Sequence, residues 1–344
     1  MVSIILPVYN REKLISRAID SVIKQTYHNW ELLVVNDNST DRTQDVVNTY
    51  CNLDSRIHCI PNENSKGCAG ARNTGIKYAK GKYVAFLDSD DEFIDIHLEE
   101  CISALKTTKY ALCSALWIEN KYGELNYIGQ NYPNDYAYNK MQEDLGINRH
   151  DKLWIFDKRL FEYIVYTDFY CYQLCTIVVE RELLVRTNGF NEKFQRCEDI
   201  ELIYRLLQHT SLVTVNSYHY MYNYGSDNLY AFTNHGKMGI SQMKQDKRLF
   251  SNYVSYLYYR ILVLEGMLRL IDLSQHIQDK KKAKQHLSNV LYNRCMSYSY
   301  VNKKYSKKNR FFGFIKAVKY ITHALREDCL IPLPGYREKH LLIY

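Results

Sequence analysis

The chain opens on an apolar, β-branched run, Val2–Val8, closed by Pro7 and Asn10, which is how a buried parallel strand reads where it feeds a helix. Leu14, Ile15, Ala18, Ile19, Val22 and Ile23 follow at helical spacing and predict one buried stripe on a helix that Asn10 caps. Trp30–Val35 predicts a second strand, and Asp41 to Gln44 give a capping-box-like start to a second helix. A short strand near Ile57–Ile60, a helix near Ala69–Ala79 and the run Tyr83–Leu87 continue the alternation into Asp88-Ser89-Asp90-Asp91. This trading of periods predicts an α/β fold: a mostly parallel sheet flanked by helices, with its ligand crevice beyond the carboxyl ends of the strands. Asp37 and Asp88 each sit just past such an end.

From about Tyr110 to Val179 the periodicity weakens, with loops expected near Gly123 and Asn131–Asn139. The turn Asn188-Gly189 then precedes an amphipathic helix whose buried face is Ile200, Ile203, Tyr204 and Leu207, which puts Glu198 and Asp199 in its first turn. After His219–Gly225 the β signal ends, and residues 237–330 read as helices rich in Tyr, Leu and Lys. The domain boundary falls near 235, dividing the chain into an α/β domain, 1–235, and an α-helical C-terminal region, 236–344.

Composition changes this picture in two places. Residues 1–243 carry 25 Lys/Arg against 31 Asp/Glu, whereas residues 244–344 carry 20 against 7. The mildly acidic front argues against a nucleic-acid groove, and the basic tail has two readings, a solvated Lys-rich face or a surface for an anionic partner. The ten cysteines contain no CxxC pair and no dense framework, so neither a zinc ribbon nor a disulfide scaffold is signalled, and Cys171 and Cys175 read as buried thiols in a reducing compartment. The N-terminus lacks a basic start and a cleavage site, and its apolar run is of strand length, so the expected location is the cytoplasm.

Three segments carry chemistry. The acids Asp88, Asp90 and Asp91 crowd a strand end, where their repulsion is relieved by a cation, and hard carboxylate oxygens suit Mg²⁺ or Mn²⁺. The stretch Lys66–Gly75 places glycines and Arg72 at a helix start, where free N–H groups, the helix dipole and a bidentate guanidinium favour a diphosphate; glycines that merely allow close packing are the alternative. Glu198 and Asp199 open a helix whose positive pole stabilises an ionised carboxylate, the state a general base needs; an ordinary acidic first turn is the alternative.

In order and wording, VSIILPVYN, ELLVVNDNSTDRT, GCAGARNTGI, YVAFLDSDD and GFNEKFQRCEDIELIYRL resemble the family 2 inverting glycosyltransferases of the GT-A, Rossmann-like fold, over roughly residues 1–230. The resemblance implies that Pro7, Val8 and Tyr9 line a nucleoside pocket and that Asp37 bonds the uracil edge. It implies that Arg72 contacts the diphosphate, that Asp88 lies by the ribose and metal with Ser89 beside it, and that Asp90 binds the metal while Asp91 lies near the donor sugar. Asp199 then corresponds to the base, with Glu198 its partner in the family's ED motif. The family often has Asp where this chain has Asn36, a departure that leaves Asp37 in place. Tyr220–Ser226 is similar to the tyrosine-rich stretch after that motif, so His219, Tyr222, Tyr224 and Ser226 are candidates to reach the site, with a structural histidine an equal reading of His219.

The expected reaction is a single inverting displacement from a UDP-sugar, with Mn²⁺ or Mg²⁺, onto a hydroxyl of a glycan or lipid-linked acceptor in cell-surface polysaccharide synthesis. A catalytically idle nucleotide-binding scaffold and a nucleotidyltransferase are the rivals. The tail, where Lys/Arg interleave with Tyr, Phe and Leu between Lys303 and Tyr320, is expected to lie peripherally on the anionic inner face of the plasma membrane, with homo-oligomerisation the competing explanation.

Overall fold

Four parallel strands, β1 (Val2–Val8), β2 (Trp30–Asn36), β3 (Ile57–Pro61) and β4 (Tyr83–Phe86), order as β3-β2-β1-β4 in a computed structural model that describes residues 1–128, 135–167, 172–225, 245–302, 308–313 and 315–317. Val2 stands opposite both Trp30 and Tyr83, so the strands start level; β1 and β2 run on together to Val8 and Asn36, while β4 stops at Phe86 opposite Ile5. Every residue of β1 is buried because both faces of the sheet are covered. On one face Val2, Ile4, Leu6 and Val8 pack with Ile15, Ala18, Ile19 and Val22 of α1 (Ile15–Ile23) and Val47 of α2 (Thr43–Leu53). Each fully buried Val, Leu or Ile side chain among them contributes roughly 1.5–3 kcal/mol. On the other face α3 (Cys68–Tyr78) lies so close that a Cβ on Gly75 would stand 2.4 Å from Ile5 Cγ2.

Asn10 does not cap α1. It adopts φ 51°, which asparagine tolerates, its N–H donates to Ser39 Oγ at 3.0 Å, and its Oδ1 accepts from Thr40 N at 2.8 Å. A residue expected at a cap therefore turns the chain and ties the loop after β1 to the loop after β2, and α1 starts at Ile15 with Leu14 at its N-cap.

Beyond β4 the sheet is mixed. Strands β5 (Glu92–Phe93), β6 (Leu112–Lys121), β7 (Glu124–Ile128), β8 (Asn148–His150), β9 (Leu153–Phe156), β10 (Val178–Glu180) and β11 (Leu212–Asn223) continue the order as β4-β10-β6-β11-β9-β8. There β10 is antiparallel to both neighbours and β6 parallel to β11, while β5 pairs with β11 and β7 with β6. The helices in this stretch are α4 (His97–Thr108), α5 (Asp135–Leu145), α6 (Arg159–Thr167), α7 (Arg181–Arg186) and α8 (Glu198–Leu206). The loop expected to reach Asn139 thus gives way to helix at Asp135. Register shifts flank Tyr218 on β11, the kind of irregularity that re-aims side chains beside a site.

The chain folds as two compact units, Met1–Ile164 with Phe169–Gly225, and Val165–Asp168 with Ser226–Tyr344. In the second unit, α9 (Lys247–Leu273) and α10 (Lys280–Val301) pack as a helical hairpin. Asp246 caps the first by accepting from Arg248 N at 2.8 Å and Leu249 N at 3.0 Å, and Asp279 caps the second from Lys282 N at 2.9 Å. Lys280, Lys281 and Lys282 are exposed at the start of α10, as a solvated charge run should be. Among the described residues no helix is long and apolar enough to cross a membrane. The expected boundary at 235, Ser226, Cys171, and half of the stretch from Lys303 to Tyr320 lie outside the described residues.

Candidate active site

The rim is built from the residues just past β1, β2 and β4. Asp37 donates its N–H to Val8 O at 2.9 Å, which docks the end of β2 on β1. Its carboxylate accepts from Asn62 Nδ2 at 2.7 Å and Gly67 N at 2.8 Å, so the acid expected at a nucleobase also holds the loop that leads into α3. Pro7 and Val8 are buried in the sheet, whereas Tyr9 is exposed, with the Lys66 ammonium 4.7 Å from its ring centroid. Of the three, only Tyr9 offers its side chain to a ligand. The Asn36 departure has a local cause: Asn36 Nδ2 donates to Gln44 Oε1 at 2.7 Å while its Oδ1 accepts from Ser39 N at 2.9 Å, and an aspartate could not donate.

Arg72 is the junction of the site. It is 4 % exposed, and donates from Nη1 to Glu198 Oε1 at 2.6 Å and from Nη2 to Asp88 Oδ1 at 2.8 Å. Its guanidinium carbon lies 5.4 Å from the Phe190 ring centroid, and Nε is buried without a partner among the described residues. Burial opposes its charge, but Asp88 and then the other anionic groups around it, Glu198 among them, hold the guanidinium firmly protonated. One cation thus ties together the Gly/Arg segment, the acid after β4, and a helix 126 residues farther along the chain. Its two terminal nitrogens each meet a carboxylate, so Arg72 sets the spacing of the acids.

The glycines also resolve. A Cβ at Gly70 would stand 1.9 Å from Ser65 O, and Gly67 sits at φ 115° as the N-cap of α3, its N–H spent on Asp37. They serve close approach and a turn that L side chains resist. Sequence reasoning missed Asn73, which donates to Phe190 O at 2.9 Å and Glu192 Oε1 at 2.8 Å and accepts from Phe190 N at 2.8 Å. This amide mimics a strand partner and pins the loop that presents α8.

Glu198 is the first residue of α8, followed by Asp199. Burial is the largest influence on Glu198 and lifts its carboxyl above the ordinary range; Arg72 opposes the shift, and Asp199 beside it adds to it. The helix pole therefore does not prevail at Glu198, while Asp199, partly exposed, stands next to a carboxyl that takes a proton more readily than usual.

The acids after β4 divide into two groups. Asp88 and Asp90 keep 33 % of their side-chain surface exposed, and Asp90 lies 3.8 Å from Arg11. Among the described residues only Oδ1 of the Asp88 carboxylate is engaged, by Arg72. Two carboxylates two residues apart and open to solvent are a donor set for a hard divalent cation. Asp91 differs: it is 1 % exposed, accepts from Tyr220 Oη and, at 2.6 Å, from Asn223 N, and is pushed well above the usual range by burial and then by Asp90 and Asp88. It cannot touch a donor sugar, because both oxygens face the interior; it anchors the end of β11 beneath the rim. Ser89 is buried too. His219 is fully buried with Nε2 2.9 Å from Glu100 Oε2, so it does not reach the rim, while the rings of Tyr222 and Tyr224 meet edge to face at 4.9 Å.

The description "Glycosyl transferase family 2" matches residues 3–165. WfgD of Escherichia coli, a UDP-Glc:alpha-D-GlcNAc-diphosphoundecaprenol beta-1,3-glucosyltransferase, is 37 % identical over 223 residues, 63 % of this chain and 73 % of WfgD. WfaP of Escherichia coli, which bears the same activity in its name, is 45 % identical over 109 residues, 32 % of this chain and 43 % of its own length. The crystal structure of S. aureus TarS 1-349 superimposes with a TM-score of 0.61 over 96 % of this chain and 83 % of that one, at 20 % identity, which speaks to the fold. With the rim acids on a sheet of this topology, the chain belongs to glycosyl transferase family 2 and is a glycosyltransferase.

Proposed function

We propose that the chain transfers a sugar from a UDP-sugar, with inversion, to a hydroxyl of a lipid-linked glycan during cell-surface polysaccharide synthesis. The observation that carries the site is Arg72, bonded at once to Asp88 and Glu198, since it sets the rim acids and the start of α8 around one position. Donor and acceptor class rest on WfgD, whose name specifies UDP-Glc and a diphosphoundecaprenol-linked GlcNAc, with support from TarS, which has been crystallised with UDP and with UDP-GlcNAc.

In this reading Tyr9, Lys66 and Asp37 receive the nucleoside end of the donor. Asp88 and Asp90 would hold Mn²⁺ or Mg²⁺, which would supply charge neutralisation at the diphosphate. Asp199 takes the proton of the acceptor hydroxyl as its oxygen forms the bond to the anomeric carbon and the bond to the diphosphate oxygen breaks. Glu198, held by Arg72, positions Asp199 and does not share its task. Transfer belongs to the region before about 235. The basic helical region behind it brings the enzyme to the acceptor at the cytoplasmic face of the membrane, lysines toward anionic headgroups.

The test is a screen of UDP-sugars with Mn²⁺ and a GlcNAc-diphosphate lipid, read by product mass. One donor is expected to add a single hexose. Absence of transfer from every UDP-sugar, together with absence of UDP binding, overturns the proposal.

A further inference from the structure

Behind the rim, in the interior between α4 and β11, three side chains that transfer does not use turn their ligand atoms toward one point. His97 and Cys101 stand one turn apart on the same face of α4, and His219 comes from β11. His97 Nδ1 is 3.4 Å from His219 Nδ1, and Cys101 Sγ is 3.6 Å from each of those nitrogens. All three are fully buried. Zinc bound tetrahedrally at ordinary Zn–N and Zn–S lengths requires edges of about 3.4 Å between two nitrogens and about 3.6 Å between nitrogen and sulfur. The three separations match.

We propose that this cluster is a zinc site, with His97 Nδ1, His219 Nδ1 and the Cys101 thiolate as its protein ligands.

The surroundings have the features a zinc site requires. His219 Nε2 meets Glu100 Oε2 at 2.9 Å, which places the ring proton on Nε2, turns the lone pair of Nδ1 inward, and reproduces the carboxylate–histidine arrangement found behind zinc. Lys152 Nζ lies 3.3 Å from the same carboxylate and keeps it in place. Among the described residues the His97 ring has no polar partner other than the two ligand atoms, and its Nε2 is buried unbonded. Burial and then the neighbouring His219 hold that imidazole neutral, with a lone pair to give. A fully buried ring whose polar contacts are only another imidazole and a thiol is poorly compensated, and a shared cation compensates all three. Two imidazoles and thiolate sulfur favour zinc over the Mg²⁺ or Mn²⁺ suited to the rim. On binding, Cys101 gives up its thiol proton to solvent and forms the Zn–S bond, with no redox change. The consequence for the fold is local: zinc fastens β11 to α4 one residue before Tyr220, the hydroxyl that holds Asp91.

The experiment uses the full chain, purified with reduced thiols and without chelator. Elemental analysis after dialysis is expected to give one zinc per chain, and replacement by Co²⁺ to give the intense visible bands of a tetrahedral site with thiolate-to-cobalt charge transfer in the near ultraviolet. Cys101→Ser and His219→Gln should lose the tight metal, while Asp90→Asn, at the rim, should retain it. A folded, reduced wild-type chain that takes up no zinc against a chromophoric chelator overturns the proposal. So does zinc retained in Cys101→Ser and His219→Gln. If those variants fail to fold, the wild-type cobalt spectrum decides, and absence of the thiolate band counts against the site.

Discussion

The two halves of the sheet treat their polar groups in opposite ways. The parallel half, β3-β2-β1-β4, ends in residues that look outward: Tyr9 is exposed, and Asp88 and Asp90 keep a third of their surface. The mixed half, around β6 and β11, turns its polar groups inward, where Tyr220 and Asn223 hold Asp91 and His219 meets His97 and Cys101. Asp90 and Asp91 are adjacent, yet one serves each half. A parallel half presents ligand-facing groups at its carboxyl ends, and the mixed half makes the floor that keeps those groups from moving.

If that division holds, substitutions on the outward side should cost turnover, and those on the inward side should cost stability. The largest loss is expected for Asp199→Asn, a fall in kcat of roughly 10²–10⁴-fold, the usual worth of a positioned base, with UDP affinity nearly unchanged by calorimetry. Arg72→Lys removes the fork that spans Asp88 and Glu198, and its kcat/KM should fall about 10- to 100-fold because a point charge cannot hold both acids in one geometry. Tyr220→Phe leaves Asp91 short of a donor in the interior, and should lower unfolding free energy by about 1–3 kcal/mol in a denaturant titration while the folded fraction keeps its KM for donor. Loss of activity without loss of stability there would erase the contrast.

Smaller still is a shift in pH dependence. Glu198 is raised by burial, so as pH falls it becomes neutral above the ordinary glutamate range and its charge-assisted bond with Arg72 weakens. The acid limb of kcat/KM should therefore lie above that range, and Glu198→Gln, which has no proton to gain, should move the limb to lower pH. A limb that stays in place in the variant would assign the titration to another group.

The contrast also explains what could be read in advance. The parallel half was legible because Val2–Val8 and Trp30–Val35 are apolar runs bounded by polar turns, and because the acids that follow them sit where such strands end. The mixed half was not. β11 interleaves Thr214, Asn216, Ser217 and His219 with its apolar residues, and the strands that pair with it, β6, β9 and β5, lie far away in the sequence. Nothing local marks Asp91 as buried, since its partners lie 129 and 132 residues away. His97 and Cys101 carry no CxxC spacing, and the third member of their cluster is more than a hundred residues distant. Arg72 was visible as a cation at a helix start, but its two carboxylate partners were not, because they lie 16 and 126 residues away. Asn10 was misread for a local reason: asparagine serves both caps and left-handed turns, and only the position of Ile15 distinguishes them.

The claim that the open acids of the parallel half make the donor site is tested most directly by titrating UDP into the full-length protein with and without Mn²⁺, wild type beside Asp90→Asn. UDP binding that requires Mn²⁺ in the wild type and disappears in the variant is the expected result. UDP binding of equal strength in both proteins, indifferent to the metal, would contradict it.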